Sequence, residues 1–470
     1  MKVLLVQPDR RRQAPNGDAL ARSLLPSYSL HLLAECLRQA GHEVEVLDPP
    51  LAHALLGAGA SSDPAASLAL LLERERYDAA GVAVYSPLRR EALEMMQALK
   101  RANPKTLVIA GGPHPTRLWR SLLGANPRGI DYACLGAAEV SLPALLQALA
   151  QGRPASRIKG IALMAGDLGV RATSRPLLNA PLADLPPVRY HRLLEKLAAG
   201  KIPRAYTLTG RGCSNWCNFC SNIWKKPLAR PAGQVLDEVR YLVAECGTRE
   251  LIFYDDAFGM KKDHALEILR GIRDLGAELR LQAVTRFDLV DEELLAAFKD
   301  AGGRDLLLGL ETGSARLRRR MNKHLPDGLI CEALERIRRH SLRVAVYLMF
   351  GYPNETPEDL EATRRMLEKI NPEQTLSTVF DIKPGDMMIE WGLKADLLRE
   401  KNWLDLRRPL INYQSEAELA LSAGIALLFD ERFTREVIAP EHDGADRVLG
   451  WSLSQAAEAK AKAREVLQWR

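Results

Sequence analysis

The sequence predicts an α/β protein. A doubly wound, Rossmann-like sheet domain comes first, followed by a partial (β/α)6 barrel and a mainly helical C-terminal segment. Three observations carry this. Short apolar runs alternate with helical stretches over residues 1–150. A proline-punctuated stretch, 151–204, breaks that rhythm at Pro154, Pro176, Pro181, Pro186, Pro187 and Pro203. The alternation resumes at Ala205, continues to about 385 and is then lost.

Taken in order, the first-domain strands are expected at Lys2–Gln7, Val44–Leu47, Ala80–Tyr85, Thr106–Ala110 and Tyr132–Leu135. The helices between them are expected at Leu30–Ala40, Ala65–Glu75, Arg89–Ala102 and Val140–Leu149, with Gly41 placed to end the first. Residues 151–204 read as a linker with one small hairpin and one helix near His191–Ala199. Barrel strands are expected at Tyr206–Thr209, Glu250–Tyr254, Arg280–Val284, Leu306–Leu308, Arg343–Leu348 and Thr375–Phe380. Their helices are expected at Gly233–Cys246, Lys262–Leu275, Asp291–Ala301, Leu329–His340 and Thr356–Ile370. Residues 386–470 read as a helical segment capping the barrel mouth and shaping the substrate site, anchored by Trp391, Trp403, Trp451 and Trp469.

Composition narrows the function class. With 47% hydrophobic and 26% charged residues among 470, the chain is neither disordered nor fibrous. The apolar runs, such as that around Leu68–Leu72, are far shorter than the ~20 residues of a membrane span. The N-terminus MKVLLVQPDRRR has too short an apolar run for a signal peptide, so a cytoplasmic protein is expected. The net charge is +6, without a basic tail or arm, and residues 386–470 are slightly acidic. That gives little support to a nucleic-acid partner.

Seven cysteines are too few and too odd in number for a disulfide scaffold, but three fall within eight residues. Cys213, Cys217 and Cys220 form C-x3-C-x2-C directly after a predicted barrel strand, at the mouth where such barrels carry their active sites. Three thiolates on one loop suit three corners of a [4Fe–4S] cubane, leaving one iron open to a chelating ligand. A structural zinc site would need a fourth ligand, and no nearby histidine or cysteine supplies it. Gly210 and Gly212 permit the tight backbone of the wrap. Cys36, Cys134, Cys246 and Cys331 read as buried free thiols.

The cysteine loop resembles the signature of the radical S-adenosylmethionine (SAM) superfamily. The resemblance extends to GGPHPT at 111–116, DYACLGAAE at 131–139, Ala183-Asp184-Leu185-Pro186-Pro187 and Tyr254-Asp255-Asp256-Ala257-Phe258. It continues through Thr285-Arg286-Phe287-Asp288, Gly309-Leu310-Glu311-Thr312-Gly313-Ser314, Met321-Asn322-Lys323 and the run Phe350 to Thr356 (FGYPNET). Together these motifs resemble the branch of cobalamin-dependent radical SAM enzymes and cover about residues 1–385. The resemblance implies three cofactors: a [4Fe–4S] cluster, SAM and cobalamin. It implies a cobalamin-binding domain over 1–150, a linker over 151–204 and a radical SAM barrel over 205–385.

The same resemblance assigns expected sites. Cys213, Cys217 and Cys220 would hold the cluster. Phe219 would pack on the SAM adenine, and Asp255 or Asp256 would pair with its ammonium, the alternative being a helix cap near Lys262. Arg286 would fork onto the SAM carboxylate and Glu311 would hold its ribose. Cobalamin would meet Pro8, Asp9, Tyr85, Ser86, Gly111, Gly112, His114, Gly136 and Glu139, at the carboxyl ends of the parallel strands. Many cobalamin proteins carry D-x-H-x-x-G after the first strand, whereas this loop reads Gln7-Pro8-Asp9-Arg10-Arg11-Arg12-Gln13. No histidine on the lower face of the corrin is therefore expected.

The function so implied is transfer of a methyl group from methylcobalamin to an unactivated carbon of a small molecule, by way of a 5′-deoxyadenosyl radical. An electron donor such as flavodoxin or ferredoxin would be the protein partner. Two alternatives stand beside it. One is a cyclising or oxidative reaction on a tetrapyrrole or other large substrate without net methyl transfer. The other is a non-enzymatic cobalamin sensor or carrier with a vestigial barrel, against which the intact cysteine triad argues.

Overall fold

A computed structural model describes residues 1–8, 25–48, 51, 64–166, 169–197, 199–380, 422, 425 and 453–467. The first sheet is built from β1 (Lys2–Val6), β2 (Glu43–Leu47), β3 (Ala79–Ala83), β4 (Leu107–Gly111), β5 (Tyr132–Cys134), β6 (Ile161–Met164) and β7 (Val170–Ala172). Its order is β2-β1-β3-β4-β5-β6-β7. The pairs from β2 through β5 are parallel, and β5-β6 and β6-β7 are antiparallel. The strand order reverses between β1 and β3, the switch point at which doubly wound sheets hold ligands.

Continuous apolar runs explain the parallel part. In β1, Val3, Leu4, Leu5 and Val6 are all buried, as a strand covered on both faces must be. Helices α1 (Tyr28–Gln39), α2 (Pro64–Arg74), α3 (Arg89–Ala102), α4 (Pro113–Ala125) and α5 (Ala138–Ala150) accompany the strands. Leu30, Ala34 and Leu37 of α1 pack with Leu142, Leu145 and Leu146 of α5 in one core. Gly41 follows α1 at φ +83°, in the left-handed region that ends helices. The expected hairpin of the 151–204 stretch extends this sheet as β6 and β7, so that part of the stretch is not a linker. The expected helix near 191 is a single turn, His191–Leu194.

The second sheet has six strands: β8 (Arg204–Thr207), β9 (Glu250–Phe253), β10 (Arg280–Thr285), β11 (Gly303–Glu311), β12 (Arg343–Phe350) and β13 (Gln374–Val379). Their order is sequential, β13-β12-β11-β10-β9-β8, and the pairs from β10 to β13 are parallel. Helices α6 (Ala232–Ala244), α7 (Lys262–Asp274), α8 (Glu292–Asp300), α9 (Ala315–Arg320), α10 (Asp327–Arg339) and α11 (Pro357–Ile370) connect them. This is the predicted six-stranded partial barrel. Helix α12 (Leu453–Leu467) lies in the C-terminal segment. Trp391, Trp403, Trp451 and Trp469 lie outside the described residues.

By its contacts the chain divides into two units among the described residues. The first comprises 1–208 with 228–251, and the second comprises 209–227 with the residues from 252 onward. The first unit buries a charged cluster. Glu238 of α6 is fully buried and accepts from Arg230 Nη2 at 3.1 Å, Thr207 Oγ1 at 2.8 Å, Val188 N at 2.9 Å and Tyr28 Oη at 3.4 Å. Arg230 also donates to Tyr28 Oη and to the Leu208 carbonyl. One carboxylate thus ties α1, the 188 segment and β8 to α6.

Removing one partner of such a pair leaves an uncompensated buried charge. Glu238→Ala is expected to lower stability by about 3–5 kcal/mol in urea unfolding, because Arg230 would then have no carboxylate. A loss under ~1 kcal/mol would show that the cluster contributes little.

Candidate functional site

The cysteine loop follows β8 and belongs to the second unit. Gly212 has φ +102°, and a Cβ there would stand 2.7 Å from the Lys226 carbonyl and 2.9 Å from that of Trp224. Only glycine fits where the loop turns back on itself. The Cys213 N–H donates to the Trp224 carbonyl at 3.0 Å and the Cys220 N–H to the Cys217 carbonyl at 3.2 Å. Cys217 is buried, while Cys213 and Cys220 are half-buried. Burial pushes the Cys220 thiol up, and neighbouring Cys217 and Cys213 push the same way, so the three sulfurs lie within electrostatic reach of one another.

Among the described residues, no three His, Cys, Asp or Glu side chains converge on a single-ion site. A cubane takes each thiolate on a different iron, so it asks for a wider spread than one ion does. A loop that supplies three thiols and no fourth ligand fits that group.

Asp255 and Asp256, at the end of β9, hold this loop from beneath. Asp255 accepts from Thr209 N at 2.8 Å and from Thr209 Oγ1. Asp256 accepts from Gly212 N at 2.6 Å. Burial pushes the Asp255 carboxyl up to about 6, against the Thr209 and Gly210 donors that pull it down. The helix-cap alternative does not hold, since the cap of α7 is Lys261.

The other expected SAM residues surround the loop. Glu311 ends β11 at φ +67°, a left-handed conformation that costs a non-glycine residue energy. Lys323 donates to its Oε1 at 2.8 Å and stands 6.0 Å from the Phe219 ring centroid. Gly309 makes room for this pair, because a Cβ there would lie 2.5 Å from Glu311 Oε1 and 2.7 Å from Lys323 Nζ. The Arg286 fork is engaged with Asp288, Nε to Oδ1 at 2.9 Å and Nη2 to Oδ2 at 3.0 Å, and it feels the charge of Cys217 and Cys213. Sequence reasoning missed Lys323, Asp288, Thr209 and Asn218 as individual residues. Lys323 and Asp288 stood inside motifs already singled out, and Asn218 inside the cysteine loop itself.

The Gly309–Ser314 motif also docks α11. Asp359 accepts from Ser314 Oγ at 2.5 Å, from Arg316, and from Thr356 N at 2.9 Å in a capping box. A Cβ on Gly313 would lie 2.4 Å from the Thr363 Cα. Before α11, the Glu355 carboxylate accepts from Gly351 N at 2.6 Å, and its other oxygen is buried with no hydrogen-bond partner.

At the first sheet, the expected cobalamin residues gather along one edge, at the carboxyl ends of adjacent strands. The Val84 N–H donates to the Gly111 carbonyl at 2.8 Å, and the His114 N–H to the Val84 carbonyl at 3.2 Å. Ser86 Oγ and His114 Nδ1 share a hydrogen bond of 3.0 Å. Burial, with Arg89 nearby, pushes His114 down to about 4, so it is neutral. Gly112 has φ +102° and would bring a Cβ within 3.1 Å of the Val84 carbonyl, whereas a Cβ on Gly111 meets nothing within 4 Å. Gly136 donates to Thr116 Oγ1 at 3.0 Å. Pro8 is buried, Tyr85 and Glu139 are half-buried, and Asp9 lies outside the described residues. His31 is bound to Asp48 at 2.9 Å, and His42 Nδ1 lies 3.5 Å from the N-terminal amine. A Cβ on Gly111 would meet only open space, so this strand end leaves room for a bulky planar group.

Glu355 gives a pH test. The unfolded carboxyl ionises near 4.5, whereas burial pushes the folded one up to about 8. Folding therefore retains a proton between these values, and this group's contribution is most favourable at low pH and declines as pH rises from 4.5 toward 8. Glu355→Gln is expected to remove a fall of a few kcal/mol between about pH 5 and pH 8, read as urea midpoints. A difference between wild type and variant that does not change with pH would refute it.

A family model described as the radical SAM superfamily matches residues 207–367, and one described as a B12 binding domain matches 19–146. An uncharacterized methyltransferase of Pyrococcus horikoshii is 26% identical over 411 residues, covering 86% of this chain and 85% of that protein. An anaerobic magnesium-protoporphyrin IX monomethyl ester cyclase of Rubrivivax gelatinosus is 28% identical over 333 residues. That match covers 68% of this chain but only 59% of the cyclase. Among solved structures, the radical S-adenosylmethionine methyltransferase TsrM of Kitasatospora setae, with tryptophan substrate and a SAM analog bound, has a TM-score of 0.68 at 20% identity. It covers 85% of this chain and 77% of TsrM. The cobalamin-dependent S-adenosylmethionine radical enzyme OxsB, in its apo form, has a TM-score of 0.71 at 14% identity, covering 100% and 71%. At these identities the structural likenesses show a shared fold.

Proposed function

The chain belongs to the cobalamin-dependent radical SAM enzymes, and we propose that it transfers a methyl group to an unactivated carbon of a small-molecule substrate. The observation that carries the reading is the pairing, in one chain, of a three-thiol loop with a flavodoxin-like sheet whose ligand edge has an open glycine, Gly111. The methyltransferase relative, matched over most of both lengths, supports methyl transfer over cyclisation, since the cyclase is matched over 59% of its length.

When bound, the cluster supplies the electron that cleaves SAM, and cobalamin supplies the methyl group. Cys213, Cys217 and Cys220 would hold the cluster. Asp255 and Asp256 keep the loop in shape through Thr209 and Gly212, and either would still have acceptor capacity for the SAM ammonium. Arg286 would present its fork to the SAM carboxylate, and Glu311, aimed by Lys323, would accept from the ribose. Phe219 would lie against the adenine. Pro8, Asp9, Tyr85, Ser86, Gly111, Gly112, His114, Gly136 and Glu139 are assigned to the cobalamin edge, with His114 bracing Ser86. The electron would come from an acidic carrier protein such as flavodoxin or ferredoxin. Among the described residues no helix is long and apolar enough to cross a membrane. Seven free cysteines support a reducing, cytoplasmic setting.

The decisive experiment supplies reconstituted protein with SAM carrying a trideuterated methyl, a reductant, and small-molecule extract from cells lacking the protein. One compound is expected to gain a trideuterated methyl group, and the Cys213→Ala/Cys217→Ala/Cys220→Ala variant is expected to produce none. A compound that instead loses hydrogen or gains oxygen establishes the oxidative alternative.

Gly111 tests the cobalamin edge cleanly. Gly111→Leu projects into open space and is expected to keep the thermal midpoint while losing at least about tenfold in cobalamin affinity, the order of one clashing contact. Full cobalamin occupancy in this variant would move the corrin elsewhere. Gly112 is a poorer probe, because its Cβ would collide with the protein's own backbone.

A further inference from the structure

Two segments of the second unit, 211–226 and 315–324, together carry eight lysines and arginines and no aspartate or glutamate. Hydrogen bonds fasten them to each other. The Asn218 N–H donates to the Met321 carbonyl at 3.0 Å, and Asn218 Nδ2 donates to that of Arg320 at 2.8 Å. Asn322 Nδ2 donates to the Trp216 carbonyl at 2.7 Å. The Tyr352 hydroxyl fixes Asn218 from behind, donating to Oδ1 at 2.9 Å.

Arg211 lies over the Trp224 ring at 4.9 Å, and the other seven cations differ in their partners. Arg316, Arg318 and Lys323 are bound to Asp359, Asp327 and Glu311. Lys226, Arg319 and Arg320 are exposed, and among the described residues none of them has an ion-pair partner. Lys225 Nζ donates to the Asn215 carbonyl at 3.2 Å and stands 5.3 Å from the Trp216 ring. Trp216 is itself 56% exposed, one of three large exposed hydrophobic residues among those described. It directly precedes Cys217.

An exposed tryptophan with Lys225 beside its ring, on a segment fastened to one that carries the exposed Arg319 and Arg320, has the composition of a binding hot spot for an acidic partner. We propose that this outer face of the cysteine loop is the docking surface for an acidic one-electron carrier protein. The inference rests on the cluster reading above and deepens it. The carrier's reduced cofactor gives up one electron and the cluster accepts it, with no bond made or broken. Tunnelling decays steeply with distance, so the carrier must dock beside the loop that holds the cluster. Trp216 is exposed on that loop, with the Lys225 ammonium beside its ring.

The test uses reconstituted holoenzyme, an acidic flavodoxin as probe, and the variant Arg319→Glu/Arg320→Glu. Arg320 meets the loop through its carbonyl, which accepts from Asn218 Nδ2. Flavodoxin binding, measured by titration calorimetry, is expected to weaken at least about tenfold in the variant. Binding to wild type is expected to weaken with added salt. Cluster reduction by dithionite, which needs no docking, is expected to be unchanged in the variant. Equal flavodoxin affinity in the two proteins overturns the docking surface. A wild-type protein that dithionite cannot reduce overturns the cluster reading instead, so the two failures are distinguishable.

Discussion

The geometry around the thiols depends on one constraint: a tight loop carrying three cysteines must be held without using the cysteines themselves. Asp256 meets it by accepting the Gly212 N–H, and Asp255 by accepting both donors of Thr209. Hydrogen bonds from backbone N–H to a carboxylate are stronger than neutral ones. They fix the backbone without engaging a thiol, while within the loop Asn215 Nδ2 donates to Cys213 Sγ at 3.5 Å. From the other side, Asn218 and Asn322 link the loop to the turn after α9. The loop is therefore clamped between the end of β9 and that turn, and every clamp acts on main chain or on residues other than cysteine.

A similar economy governs the rest of the second unit. Glu311 would be costly in its left-handed conformation were it not fixed by Lys323 and by the absence of a side chain at Gly309. Gly313 and Ser314 then join α11 through Thr363 and Asp359. A six-residue motif, Gly309 to Ser314, thus performs two tasks. Its first half shapes a polar site, and its second half is packing. In the first unit, Glu238 makes the corresponding economy, collecting four donors from segments far apart in sequence.

Much of this was legible in the sequence. Strand runs such as Lys2–Gln7 and Arg343–Leu348 were found because parallel strands buried on both faces are uniformly apolar. The triad was found because its spacing lies within eight residues. Roles that depend on a distant partner were not legible. Asp255 reads equally well as a ligand or a cap until Thr209, 46 positions earlier, is seen beside it. Lys323 could not be assigned to Glu311 because nothing in the intervening residues shows that the chain turns back after α9. The hairpin of β6 and β7 was expected, but its place as an antiparallel extension of a parallel sheet was not. Register against β5 depends on tertiary packing rather than on local pattern.

The Arg286–Asp288 pair shows how a site can be both built and available. A guanidinium held bidentately is already in the planar orientation that a ligand carboxylate needs. A ligand arriving there replaces one carboxylate with another, so charge is conserved and little new desolvation is incurred at the arginine. The side chain of Asp288 is 36% exposed, so it can return to water when displaced, whereas that of Arg286 at 13% cannot. The asymmetry makes the aspartate the mobile partner and the arginine the fixed one. The same logic separates Lys323 from Glu311. Both are mostly buried and neither has water to retreat to, so that pair acts as a rigid element against which a ligand must fit. If Arg286 and Glu311 receive SAM as proposed, one exchangeable and one rigid ion pair would orient those groups before the ligand arrives.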